Sequence, residues 1–163
     1  MEAPRLTAHR PQLHDLTKHD LIGTADFVLG ELLTTPGQSL KRGLLHQSVA
    51  ARGRNLQENL GRGVVVVHAE PLSSEDGIVD LRLVANHLDN KDTFGKSDPY
   101  VIIKRSRGDS GVFVEVYKSE VIRNNLDPQW RPIRMSSRTL CNGDLDRPVR
   151  CLAARCPSRG PMH

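Results

Sequence analysis

The sharpest change in hydrophobic patterning falls after Gly61-Arg-Gly63, where Val64 to Val67 form an unbroken β-branched run bounded by glycine on one side and Pro71 on the other. Branched side chains suit a pleated, buried surface, so this run predicts a buried strand. Further runs of β type lie at Ile78 to Val84, Pro99 to Lys104, Val112 to Tyr117 and Pro132 to Met135. Turn chemistry separates them, notably Arg107-Gly-Asp-Ser-Gly111 and Leu126-Asp-Pro128. Several short strands at this spacing predict an all-β, antiparallel sandwich. Within the fourth run, Val112, Val114 and Val116 alternate with Phe113, Glu115 and Tyr117, which predicts one aliphatic face and one mixed face.

The first third of the chain is patterned differently. Residues 1 to 20 carry Pro4, Pro11 and scattered His and Arg without an apolar period, and read as coil. Leu21 to Leu33 reads as a strand followed by a helical turn. Residues 37 to 60, rich in Gly, Gln, Asn and Arg, read as a linker. No internal repeat of any strength is present.

Composition narrows the class. Hydrophobic residues make up 37% of the 163, and the only aromatics are Phe27, Phe94, Phe113, Tyr100, Tyr117 and Trp130, so one core is expected. The net charge of +4 sits at the end, where seven arginines from Arg131 onward face only Asp144 and Asp146. Such a tail reads first as a solvated segment, then as an anchor for acidic lipid, and a nucleic-acid partner is not expected. No apolar stretch approaches a membrane span and the start lacks a signal-peptide core, so a cytoplasmic location is expected. Cys141, Cys151 and Cys156 are odd in number and lack zinc-finger spacing, so reduced thiols are expected.

The informative loop is Leu88-Asp-Asn-Lys-Asp92-Thr-Phe-Gly-Lys-Ser-Asp98-Pro-Tyr100. Asp92 and Asp98 flank Gly95, and Pro99 restarts the strand, so the loop can fold back until both carboxylates face one cation. Oxygen donors of this kind suit calcium, with a carbonyl near Thr93 as a further donor. The loop resembles that of the second C2 domain of copines. The resemblance continues through Lys118-Ser-Glu-Val-Ile-Arg-Asn-Asn-Leu-Asp-Pro-Gln-Trp130, Arg131-Pro-Ile and Leu140-Cys-Asn-Gly-Asp-Leu-Asp146, with Asp127 where asparagine is usual. It implies a C2-type β-sandwich of Greek-key form over residues 61–150, with Asp92 and Asp98 as first-loop calcium ligands. Phe94 would dip into the bilayer, and Lys96, Lys104 and Arg105 would meet lipid headgroups. Trp130 is expected in the core.

A second stretch, Asp20-Leu-Ile-Gly-Thr-Ala-Asp-Phe-Val-Leu-Gly-Glu-Leu, resembles the end of the preceding C2 domain, with Asp20 as a last-loop ligand and Asp15 as another. Residues 20–36 are therefore expected to be a remnant of that first domain. After Arg150 the pattern stops, so the sandwich is expected to lack its closing strands and third loop, with 151–163 a divergent basic tail on a truncated product.

The function so implied is calcium-dependent binding to an anionic phospholipid membrane, peripheral at the plasma membrane when calcium rises. The alternative is a calcium-independent sandwich that meets protein partners. An enzyme is not expected: Gly108-Asp-Ser-Gly111 has the letters of a serine-protease nucleophile, with His68 or His87 as nominal bases, but it lies in a turn between strands without an oxyanion context. Gly61-Arg-Gly63 precedes a strand, the wrong order for a dinucleotide loop.

Overall fold

A computed structural model describes residues 20–45, 63–73, 77–90 and 95–156. The β-branched and alternating runs form strands β3 (Val64–Ser73), β4 (Ile78–Asn86), β5 (Pro99–Ser106), β6 (Phe113–Lys118) and β7 (Ile133–Ser136). Three more complete the sandwich: β1 (Asp20–Val28), β2 (Ser39–Gly43) and β8 (Pro148–Arg155). Two short helices, α1 (Leu29–Thr34) and α2 (Ser137–Cys141), close turns between them. The strands make two four-stranded sheets, ordered β1-β8-β5-β6 and β2-β3-β4-β7, with every pairing antiparallel. The expected all-β antiparallel sandwich is therefore the fold.

The facing sides follow from the period of two. In β4, Val79, Leu81, Leu83 and Ala85 point inward, and Val65, Val67 and Ala69 join them from β3. The other sheet contributes Val101 and Ile103 from β5 and Val149, Cys151 and Ala153 from β8. Trp130 is buried in this core, as expected. Strands β5 and β8 lie in the middle of their sheet and are buried on both faces: Tyr100, Ile102, Leu152 and Ala154 form a second cluster on the side away from the core.

The packing runs across the boundaries that the sequence suggested. Ile22, Ala25, Phe27, Leu29 and Leu32 share one core with Val65, Leu81, Val101 and Cys151, so residues 20–36 are not set apart from the strands that follow. Ser39–Gly43, expected in a linker, pairs with β3 from Ser39↔His68 to Gly43↔Val64. Polar and basic residues there conceal an edge strand, in which only Leu40 is fully buried. Beyond it, Leu45 exchanges two backbone hydrogen bonds of 2.8 Å with Thr24 and ties the two sheets at their edge. Gly23 is required for this approach, because a Cβ there would lie 2.8 Å from the Leu44 Cβ.

The place of a closing strand is not empty. Residues 148–155 form β8, inserted between β1 and β5, with Cys151 opposite both Ala25 and Ile103. Four of the arginines that give this region its basic character are answered by acids: Arg134 by Asp80, Arg147 by Asp144, Arg150 by Asp26 and Arg155 by Asp20. A strand hidden under charged residues reads as a tail until its partners are known. Strand β6 departs from simple alternation as well. The register passes from Tyr117↔Ile103 to Glu115↔Lys104, so Val116 is a bulge and Tyr117 turns toward the core, while Val112 and Val114 stay 51% and 39% exposed.

Candidate functional site

The loop ahead of β5 is built by reciprocal hydrogen bonding with the segment that follows β6. Asn124, at φ 52°, accepts from the Lys96 N–H through Oδ1 (2.8 Å), while its own N–H donates to Asp98 Oδ1 (2.7 Å). Asparagine tolerates this left-handed conformation better than most residues. The Asn125 N–H donates to the Ser97 carbonyl (3.1 Å), and Asn90 Nδ2 donates to the Gly95 carbonyl (2.9 Å). Gly95 itself sits at φ 93°, where a side chain would be strained. Ser97 is fully buried beneath this clasp, Asp98 is half-buried, and Lys96 and Arg123 are exposed at its rim.

Asp127 stands where asparagine was expected, and its carboxylate does the same local work. Its Oδ1 accepts from the His87 N–H (2.8 Å), and its own N–H donates to Asn125 Oδ1 (2.8 Å). His87 holds a φ of 55° there. The chain then runs beside β4, with the Ala85 N–H donating to the Pro128 carbonyl and the Trp130 N–H to the Leu83 carbonyl.

Asp20 lies at the same end of the sandwich, because Asp20 and Pro99 are both register partners of Arg155 on the strand between them. Two strand spacings separate the backbones of Asp20 and Pro99, about 10 Å. Arg155 Nε donates to Asp20 Oδ2 at 2.9 Å, and its Nη2 closes on the same oxygen. The Cys156 N–H donates to the Asp98 carbonyl (3.0 Å), so the end of β8 touches both sides of the site.

Calcium takes about six to eight oxygen ligands. Among the described residues no group of three or more His, Cys, Asp or Glu is placed to hold a metal ion. Asp20 is engaged by Arg155, and one oxygen of Asp98 accepts from Asn124. The described donors alone do not make a calcium cage. Asp92 and Phe94, the other first-loop candidates, and Asp15 lie outside the described residues.

The headgroup candidates divide. Lys104 stands in a charged row across the outer face of its sheet, Asp26, Arg150, Lys104, Glu115, in which two acids flank two bases. Arg150 grips Asp26 through two bonds of 2.7 Å and stacks 4.0 Å from the Phe113 ring centroid. Arg105 turns the other way and donates to the carbonyls of Arg138 and Thr139 at 2.8 and 3.2 Å, satisfying acceptors of α2. Above the charged row, Lys118 Nζ lies 4.7 Å from the Tyr100 ring centroid. Burial pushes the Tyr100 phenol up to about 12, and Cys156 and Glu115 act in the same direction. In the turn after β5, Ser110 Oγ donates to the Arg107 carbonyl (2.8 Å), and His68 bonds Glu70 on the other sheet.

Sequence reasoning missed Asn124 and Arg155. The pair Asn124-Asn125 before a proline turn was a signal for left-handed backbone. Arg155 carried no local signal, because its partner is 135 residues away.

Comparison with known proteins bears on these same elements. Residues 81–137, from the middle of β4 into α2 and including the loop clasp, match the family model of the C2 domain. A solved structure titled "BON1-C2B" is similar at 25% sequence identity and a TM-score of 0.43, over 66% of this chain and 64% of that one, so this chain spans under two thirds of its length. Residues 81–137 thus carry C2 domain similarity, and the two antiparallel sheets built around them make a C2-type β-sandwich.

Proposed function

We propose that this chain is a membrane-recruitment module of the copine C2 type, which binds anionic phospholipid surfaces through the loop end to which residues 88–90, 95–98 and 119–127 belong. One observation carries the reading: the C2 match spans the strands and the loop clasp that hold Asp98, Lys96 and Asn124 at one end of the sandwich. Lys96 and Arg123 are exposed at that end, and basic side chains near an anionic surface contribute about 1 kcal/mol each. The finer part of the proposal is that calcium raises this affinity through Asp92 and Asp98, with Phe94 entering the bilayer. The chain then acts by recruitment at the cytoplasmic face of the membrane and not by catalysis.

The test is co-sedimentation with phosphatidylserine vesicles in calcium, in chelator and in high salt. Binding in calcium that falls in chelator, and falls further in Asp98→Asn than in Ser110→Ala, is the expected result. Absence of binding to phosphatidylserine under all three conditions would remove the membrane reading. A second reading, a sandwich that meets a protein partner, is favoured by β6, which ends its sheet among the described residues, with Val114 exposed on it and Val112 exposed just before it.

A further inference from the structure

We infer that Arg155 is a built-in cation at the loop end of the sandwich, and that it withdraws Asp20 from metal binding. This rests on the reading of that end as the cation-adjacent, membrane-facing one. Three observations support it. Arg155 places two guanidinium nitrogens on one oxygen of Asp20. Its strand lies between β1, which begins at Asp20, and β5, which begins just after Asp98, because Asp20 and Pro99 are its partners on opposite sides. Its side chain is only 16% exposed, whereas that of Asp20 is 59% exposed, so the guanidinium is held in the sheet and the carboxylate comes to it.

A divalent ion that used both Asp20 and Asp98 would have to sit over Arg155 and share Asp20 with a fixed positive charge. Like charges at close range repel, and a guanidinium cannot lose its proton at any pH the protein withstands. Asp20 is thus a weaker candidate ligand than Asp98, although the motif around it resembles a last loop.

The experiment is a calcium titration of the full chain by isothermal calorimetry, with terbium luminescence excited through Trp130 and the tyrosines as a second readout. Four proteins are compared: wild type, Asp20→Asn, Arg155→Gln and Arg155→Lys. Asp20→Asn is expected to weaken calcium binding by no more than about five- to tenfold, the effect of losing one negative charge about 8 Å from the ion, and not by the larger factor that losing a direct ligand gives. Arg155→Gln is expected to tighten it about five- to tenfold, the effect of deleting a unit charge about 8 Å from a divalent ion in a water-like dielectric. Arg155→Lys loses the same planar fork but keeps the charge, so it should track the wild type and separate the charge from any loss of folding. A loss of affinity well beyond about tenfold in Asp20→Asn overturns the inference. So does an Arg155→Gln protein that binds calcium no better than wild type, including the case in which neither binds. Failure of the membrane reading has a different signature, since it appears as no binding to phosphatidylserine vesicles by any variant, whatever the calcium titration in solution gives.

Discussion

Phe27→Ala tests whether the first described strand belongs to the same cooperative unit as the C2-matched segment. Phe27 is 4% exposed, and it sits in one cluster with Val65, Leu81, Val101 and Cys151, which come from four other strands in both sheets. Truncating a buried phenylalanine removes its transfer free energy and leaves a cavity, together about 3–5 kcal/mol. For a domain near 150 residues this lowers the melting temperature by about 2–4 °C per kcal/mol, so a fall of roughly 6–20 °C follows. The assay is urea unfolding followed by fluorescence of Trp130, the only tryptophan, which lies in the C2-matched part and 103 residues away from the substitution. Val114→Ala, at a 39% exposed edge position, is the control and should move stability by no more than about 0.5 kcal/mol. An unchanged Trp130 midpoint in Phe27→Ala would refute the shared core and restore residues 20–36 as a separate remnant.

Three further outcomes follow from the packing. Ala25 and Cys151 are direct partners across β1 and β8 and both face the core, so Ala25→Cys should form a disulfide with Cys151 on mild oxidation, read by mass spectrometry after alkylation. Trp130 Nε1 is buried without a hydrogen-bond partner among the described residues, so Trp130→Phe removes an orphan donor and should cost under about 1 kcal/mol by circular dichroism, against about 3–5 kcal/mol for Trp130→Ala. Burial pushes the Cys151 thiol up to about 12 from an ordinary 9.0. A folded-state pKa raised in this way contributes stability that is complete below pH 9 and is lost as pH rises from there toward 12, because the unfolded thiol ionises first. Urea midpoints should therefore fall through that window, and fall less steeply in Cys151→Ala.

Strands with a strong period of two or an unbroken β-branched run, such as Val64–Val67 and Ile78–Val84, were legible because their burial is encoded locally. β2 was not, since an edge strand in contact with solvent on one side can carry Lys41 and Arg42 without penalty. β8 failed for another reason: its basic residues looked unpaired in sequence, and only the register with β1 brings Arg150 to Asp26 and Arg155 to Asp20. At the candidate site the turn chemistry of Gly95, Asp98 and Asp127 was readable from short spacings. The contributions of Asn124 and Arg155 depend on contacts 26 or more residues apart, which no local pattern contains.

The pairing of Asp20 with Arg155 fixes the mechanical character of the sandwich. Load applied through these two residues would pull on neighbouring antiparallel strands at one and the same end. The force then runs across the strands, and the ladder from Asp20↔Arg155 to Val28↔Pro148 opens one rung at a time, whereas shear would strain every rung together. The Asp20–Arg155 ion pair is the first rung, followed by the pair of Asp26 with Arg150. Tension at this end would peel β1 from β8 at low force and expose the unpaired edge of β8, while β3 and β4, which are not in line with the load, keep their pairing.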